Sequence, residues 1–136
     1  MSQPPLFTAT THGIRVSVRA FYLEDQSNPG QSHFVWAYRV TIENLSQRTV
    51  QLLRRSWQIT DAQGRMQQVH GPGVVGEQPV LEPGESFEYT SGTPLSTPSG
   101  FMRGTYHMVE TASGEAFDIA IPAFSLDSPH QPGGLH

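Results

Sequence analysis

The 136-residue chain contains no cysteine and no lysine, and these two absences exclude several functional classes. All eight of its basic residues are arginines. Without cysteine there can be no disulfide, no thiol nucleophile and no thiolate zinc site. Without lysine there can be no Walker-type phosphate loop, Schiff-base lysine or Ser-Lys dyad, because each of them needs an ammonium group.

Positive charge and long apolar runs are scarce as well. The formal net charge is -4, which argues against direct nucleic-acid binding, since that binding depends on many phosphate-neutralising cations. No apolar run approaches the roughly 18 residues that a membrane span requires. Residues 1–10 have neither a basic cluster nor an apolar core, so no secretory signal is predicted. We therefore expect a cytoplasmic protein.

Glycine and proline are abundant, and the segments between them alternate apolar and polar residues. In the clearest segment, period two places five apolar residues on one face, as in a half-buried strand and unlike a helix. These are Phe34, Trp36, Tyr38, Val40 and Ile42. Seven or eight such segments predict an all-β sandwich or barrel. We expect one domain over residues 1–126 and a disordered tail over 127–136, which is rich in Pro, Gly, Ser and His.

One formal motif match, G-x-G-x-x-G, lies at Gly71, Gly73 and Gly76. A dinucleotide fingerprint needs a helix directly after it, but Pro79 and Pro83 forbid an ordinary helix there. The motif therefore predicts a structural loop, because glycine permits backbone angles that other residues resist. The alternative is a concavity whose backbone amides bind an anion.

The anion alternative draws its other groups from the strand predicted over residues 50–60. Arg54 and Arg55 would supply cations and Trp57 a stacking surface, if the fold brings them to the glycine loop. Adjacent residues of a flat strand face opposite ways, so we expect one arginine to be paired inside or to lie at a bulge and the other to be available to a partner. The alternative is an ordinary surface salt bridge. With the three glycines, these residues form the predicted ligand-binding set.

No pattern of catalytic or metal-binding residues stands out. The six histidines lack the i, i+4 spacing of a helical zinc motif. Serine, histidine and aspartate are all present, but no G-x-S-x-G elbow occurs. We therefore predict a protein that is not an enzyme and has no resident cofactor, and no metal ligands are assigned.

Several blocks of the sequence, in the same order, resemble the bacterial ApaG family. The blocks lie at residues 34–45, 51–57, 71–79, 81–85, 89–92 and 104–106. The resemblance covers almost the whole chain and implies an immunoglobulin-like or fibronectin type III-like sandwich, in agreement with the strand pattern. It brings no catalytic residues, because the family has no accepted ones.

The resemblance also implies an indirect link to cobalt resistance and magnesium efflux. Related domains of eukaryotic F-box proteins suggest an adaptor role. The leading hypothesis is a non-enzymatic module for protein–protein interaction, whose partner is an unidentified protein or a second copy of the chain. One alternative is a nucleotide or pyrophosphate sensor that uses the loop 71–76. A further alternative is direct, weak binding of a divalent metal such as magnesium or cobalt.

Overall fold

The computed structural model describes residues 3–131, which form nine β-strands and no α-helix. The strands are β1 (Phe7–Thr11), β2 (Ile14–Tyr22), β3 (Phe34–Asn44), β4 (Val50–Asp61), β5 (Met66–Pro72), β6 (Val80–Leu81), β7 (Ser86–Leu95), β8 (Gly100–Glu110) and β9 (Ala116–Leu126). Two 3-10 turns, Glu24–Gln26 and Pro29–Gln31, connect β2 to β3. Within the described residues no helix is long and apolar enough to cross a membrane.

The strands form two antiparallel sheets, with the orders β1–β2–β3–β7 and β5–β4–β8–β9, and the short β6 pairs with β4. This confirms the predicted all-β sandwich. The structure has nine strands, whereas seven or eight were predicted. The additional ones are β6, which makes only two residue pairs, and β1, which lies outside the segments with clear alternation. All five apolar residues predicted on one face of β3 are buried in the core between the sheets.

A β-bulge in β4 decides which of its side chains face the core. Val50 and Leu52 are buried, the register with β8 shifts between Leu52 and Arg54, and Trp57 and Ile59 are buried after the shift. The extra residue changes the inward positions from even to odd numbers, because strand side chains alternate with period two. Arg55 consequently shares the inner side with Trp57 and Ile59.

The two flanks of the sandwich differ. On one flank β1 and β2 pack against β9, and the amide of Ala120 donates to the hydroxyl of Thr11 at 3.2 Å. On the other flank the edge strands β5 and β7 are each paired on one side only, β5 with β4 and β7 with β3. We call the gap between β5 and β7 the open seam.

Residues 127–130, which follow β9, contact the sandwich. Trp36 Nε1 donates to the carbonyl of Asp127 at 2.8 Å, and the hydroxyl of the buried Ser128 donates to the carbonyl of Pro98 at 2.6 Å. The ring of His130 makes an edge contact with Tyr22. Of the tail predicted over 127–136, residues 132–136 lie outside the described residues.

Candidate functional site

Two concavities run along the open seam. The larger, of about 450 Å³, is lined by the β4–β5 hairpin and by β7, with Ile59, Met66 and Leu95 as its apolar walls. The smaller, of about 240 Å³, reaches between the sheets to Arg55 and Trp57. The seam therefore gives a ligand or a partner access to the inner face of the sandwich.

Arg55 ties the glycine loop to β4. Its Nη1 donates to the carbonyls of Pro72 (3.0 Å) and Gly73 (2.8 Å), and the guanidinium is half-buried. The exposed Arg54 faces the other way and has no hydrogen bond or ion pair within residues 3–131. The two guanidiniums thus lie on opposite faces of β4, as strand alternation predicts.

The glycine loop is a closed turn rather than an open cradle. Gly73, Val75 and Gly76 have positive φ angles of 59°, 43° and 82°. The amide of Gly73 donates to the carbonyl of Leu53, and the amides of Val74 and Glu77 donate to each other's carbonyls, all at 2.8 Å. Two amides of the loop 71–76, those of Gly73 and Val74, are therefore already engaged, and the loop turns two carbonyls, not amides, toward Arg55.

Buried tyrosines, which the sequence analysis did not include in the site, surround Arg55. The hydroxyls of Tyr89 in β7 and Tyr106 in β8 are 2.5 Å apart between the two sheets. Burial raises the pKa of both phenols and also that of Tyr38. The nearby Arg55 lowers all three values, but by less than burial raises them. The tyrosines are therefore held as neutral phenols beside a cation.

Trp57 has an indole nitrogen without a partner. The side chain is 2% exposed, and its ring packs against Tyr38 and Phe124 with centroids 5.5 and 6.0 Å apart. Its Cε3 lies against Gly104, where an added Cβ would be 3.2 Å away. Nε1 is buried and makes no hydrogen bond within the described chain.

The edge of β5 presents backbone groups to the outside. Two ladder bonds, from the Asp61 amide to the Arg65 carbonyl (2.9 Å) and from the Gly73 amide to the Leu53 carbonyl (2.8 Å), bracket the strand. In an antiparallel pair, hydrogen-bonded positions alternate with non-bonded ones. Alternate residues of β5 therefore bond to β4, and those between them turn their N–H and C=O groups away from it. The outward-turned residues are Met66, Gln68 and His70.

The structure brings part of the predicted ligand-binding set together. Arg55 contacts Gly71 and Gly73 directly, whereas Arg54 lies on the outer face and Gly76 at the tip of the loop. No three His, Asp or Glu side chains within residues 3–131 converge as metal ligands. Whether these residues bind an anion stays a prediction. The tyrosines were missed because their contacts cross from one sheet to the other, which local spacing does not reveal.

Comparison with known proteins gives one consistent family. The ApaG domain model matches residues 24–110. The chain is 69% identical over 131 residues to Protein ApaG of Paramagnetospirillum magneticum, covering 96% of this chain and 100% of that protein. It is 68% identical to Protein ApaG of Rhodospirillum centenum over 92% of this chain and 95% of that one.

A solved structure agrees with the sequence relatives. The crystal structure of an ApaA protein from Bordetella pertussis superposes with a TM-score of 0.82 at 45% identity, covering 96% of this chain and 100% of that one. At this identity the superposition supports common descent as well as a common fold. The chain belongs to the ApaG family.

Proposed function

We propose that the chain is a cytoplasmic, non-enzymatic interaction module that binds an extended protein segment along the open seam. An edge strand can pair with such a segment through backbone hydrogen bonds, with little demand on particular side chains. The observation that carries the proposal is the asymmetry of the two flanks. One flank is closed by β1, β2 and β9, whereas on the other flank the outer edges of β5 and β7 have no strand partner within residues 3–131 and lie beside two concavities.

The strand that receives the segment is β5. Pro94 lies in β7 and has no amide hydrogen, so an added strand could not pair continuously with that edge. The β5 edge has no proline before Pro72 and turns the backbone of three residues outward. Arg65 marks one end of this edge, where it donates to the hydroxyl of Ser96 at 3.0 Å, and Arg55 marks the other end. The bound segment would lie between these two arginines.

The side chains around the seam indicate what the segment contributes. Met66 is 53% exposed at the larger concavity and offers an apolar contact. The cation of Arg55, which lines the smaller concavity, favours an acceptor group there, a carbonyl or a carboxylate. The partner is a different protein or a second copy of the chain. The link to cobalt resistance and magnesium efflux would then be indirect, through that partner.

Site-specific photo-crosslinking in the native cytoplasm tests this function. A photoreactive phenylalanine analogue at Met66 should give adducts of discrete mass, because the residue borders the seam. Leu45 is the matched control: it is 51% exposed but lies beyond the opposite end of β3. Adduct masses distinguish a second copy from another protein. Absence of adducts at Met66, or the same adducts at both positions, would contradict the proposal.

A second candidate is anion binding, favoured by the exposed Arg54. It lines a surface concavity of about 370 Å³ together with Arg55, Ser56, His70, Gly71 and Pro72. Amide NMR titration with pyrophosphate and ATP separates the two arginines. Saturable shifts that Arg54→Gln abolishes and Arg55→Gln preserves would support the outer concavity. The reverse result would support the loop beside Arg55, and no shifts would exclude this function for both anions.

A further inference from the structure

Four polar side chains from four strands are connected on the outer face of the sheet β5–β4–β8–β9. Ser56 Oγ lies 2.8 Å from His107 Nε2, and His107 Nδ1 lies 2.9 Å from Asp118 Oδ1. His70 Nδ1 lies 3.0 Å from the same Ser56 Oγ. These contacts run across neighbouring strands and face away from the core, so packing of the sandwich does not require them.

The chemistry of these groups fixes the direction of their hydrogen bonds. An ionised Asp118 can only accept, so His107 donates to it from Nδ1. A neutral His107 then has its acceptor lone pair on Nε2, and the hydroxyl of Ser56 must donate to it. Ser56 has a single proton, so His70 donates to Ser56 Oγ from Nδ1. The resulting order, serine to histidine to aspartate, is the one that activates a serine nucleophile.

We propose that Ser56 is a reactive nucleophile that accepts an acyl group from a small activated acyl donor. His107 is its base, and Asp118 is a positioning residue that holds the His107 tautomer. Ser56 is half-buried and borders two surface concavities, of about 410 Å³ on the side of β8 and β9 and about 370 Å³ on the side of Arg54. A small donor can therefore reach its hydroxyl.

The acyl transfer needs no co-reactant. Ser56 Oγ attacks the carbonyl carbon while its proton passes to His107 Nε2. The bond from that carbon to the leaving group breaks, and the leaving group departs with the electron pair. A serine ester remains, and the imidazolium returns its proton to the leaving group or to water. Atoms and charge balance, and nothing is oxidised or reduced.

The surroundings of Ser56 limit the reaction to good leaving groups and a single turnover. Ser56 is paired with His70 of β5 on one side and Thr105 of β8 on the other, so its backbone belongs to the sheet ladder. Hydrolases instead aim free amides at the developing oxyanion. The donor must therefore be activated already, as in an acyl phosphate or an aryl ester. A stoichiometric acceptor of this kind is compatible with a binding module and lies apart from the open seam.

Acetylation by p-nitrophenyl acetate tests the proposal on the whole chain. After brief exposure, peptide mass spectrometry should find an acetyl group on Ser56. Ser17 is an internal control, because it is also half-buried in a strand paired on both sides. Within residues 3–131 its hydroxyl forms a hydrogen bond only with that of Thr8, at 3.3 Å. We expect Ser56 to react at least about tenfold faster than Ser17, since a positioned base accelerates such a step by more than that.

Variants show whether the reactivity depends on the connected side chains. His107→Gln should reduce the rate at Ser56 to that of Ser17, and Ser56→Ala should remove the adduct. Equal rates at both serines, labelling of histidine alone, or full labelling in His107→Gln would overturn the proposal. Amide spectra of each variant report that the sandwich is intact. His70 and Asp118 are exposed, which makes their substitution compatible with folding.

The imidazole tautomer provides a readout that does not depend on reactivity. Nitrogen-15 spectra of the ring should show the proton of neutral His107 on Nδ1. Asp118→Asn should shift neutral His107 toward the tautomer with its proton on Nε2 and should slow the acetylation of Ser56. Asp118→Glu should retain part of the Nδ1–H population and part of the acetylation rate. If His107 carries its proton on Nε2 in the unaltered chain, it cannot be the base of Ser56 and the proposal fails.

Discussion

The guanidinium of Arg55 lies against the bare α-carbon of Gly71. A Cβ added to Gly71 would be 2.9 Å from Nη1 of Arg55 and 3.1 Å from its Cζ. The same Nη1 holds the carbonyls of Pro72 and Gly73. Gly71 has no positive φ, so the absence of a side chain, not backbone freedom, is what the arrangement requires here. The glycine motif thus accommodates an arginine of the same chain.

The first prediction concerns Gly71→Ala. The methyl group should push the guanidinium away and break its two hydrogen bonds, which lowers the free energy of unfolding by about 1–2 kcal/mol. In an Arg55→Ala background the same substitution should be neutral or stabilising, because alanine is better than glycine in a strand. Urea unfolding of the four chains measures this difference.

A control substitution separates this effect from the general cost of an added methyl group. Gly30 has no positive φ, and its nearest neighbour to an added Cβ is Asn28 Oδ1 at 3.7 Å. Gly30→Ala should therefore change stability little. An equal loss from Gly71→Ala with and without Arg55 would refute the relationship.

The second prediction concerns strain at the tip of the glycine loop. Val75 has a φ of 43°, which is unfavourable for a β-branched residue, and Gly76 follows with 82°. Two successive positive φ angles favour Asn-Gly. Val75→Asn should therefore raise the free energy of unfolding by about 1 kcal/mol. Val80→Asn is the control, since Val80 is similarly exposed but has no positive φ; it should not stabilise the protein.

The third prediction is a loss of stability at alkaline pH. Burial raises the pKa of Tyr89 and Tyr106, so the folded state favours their neutral forms. In the unfolded chain the same phenols ionise near pH 10. The free energy of unfolding should be unaffected by these groups below that pH and should fall as the pH rises above it. No cysteine or lysine titrates in this range, because the chain contains neither.

Urea unfolding between about pH 8 and pH 11 measures the alkaline effect. At about pH 8, Tyr89→Phe should be less stable than the unaltered chain, because the hydrogen bond between the two phenols is lost. As the pH rises toward about 11, the variant should lose less stability than the unaltered chain does. A flat profile in the unaltered chain, or an unchanged slope in Tyr89→Phe, would show that buried phenols do not govern alkaline unfolding.

Local sequence signals account for most of the fold. Period-two alternation predicts β3, and Pro83 followed by Gly84 predicts the turn before β7, where Gly84 indeed has a φ of 87°. Pro122 cannot donate to a strand ladder, which predicts either the end of the last strand or an edge strand, and β9 is an edge strand. These features depend on neighbours in the chain, so the sequence reveals them directly.

The site depends on features that local patterns do not encode. The bulge between Leu52 and Arg54 determines that Arg55 is the arginine that faces inward, and bulges leave no reliable mark in a single sequence. The contact between Tyr89 and Tyr106 requires the relative placement of the two sheets. The sequence Gly104-Thr105-Tyr106 is equally compatible with a tyrosine corner and with an ordinary strand tyrosine, but the Tyr106 hydroxyl bonds to another phenol.

The connection between Ser56, His107 and Asp118 on the outer face could not be predicted from the sequence either. Serine, histidine and aspartate are available in almost any chain, so their presence alone carried no weight. Ser56 and His107 are diagonal neighbours in the register of β4 and β8, and His107 lies directly opposite Asp118 in the register of β8 and β9. The three side chains therefore meet only in the folded sheet. The strand order and the bulge between Leu52 and Arg54 are both needed to place them on one face, because without the bulge Ser56 would face inward.

The last prediction tests the β5 edge itself. Gln68 turns its amide outward, so proline at this position removes an edge donor without removing a bond to β4. Gln68→Pro should therefore cost little stability, whereas Gln67→Pro should be strongly destabilising because it breaks the β4–β5 ladder. If a partner adds a strand to this edge, Gln68→Pro should abolish photo-crosslinking from Met66, and Gln68→Ala should preserve it. Adducts that persist in Gln68→Pro, with unfolding measurements showing an intact sandwich, would mean that the partner contacts side chains near Met66 but does not pair with the strand.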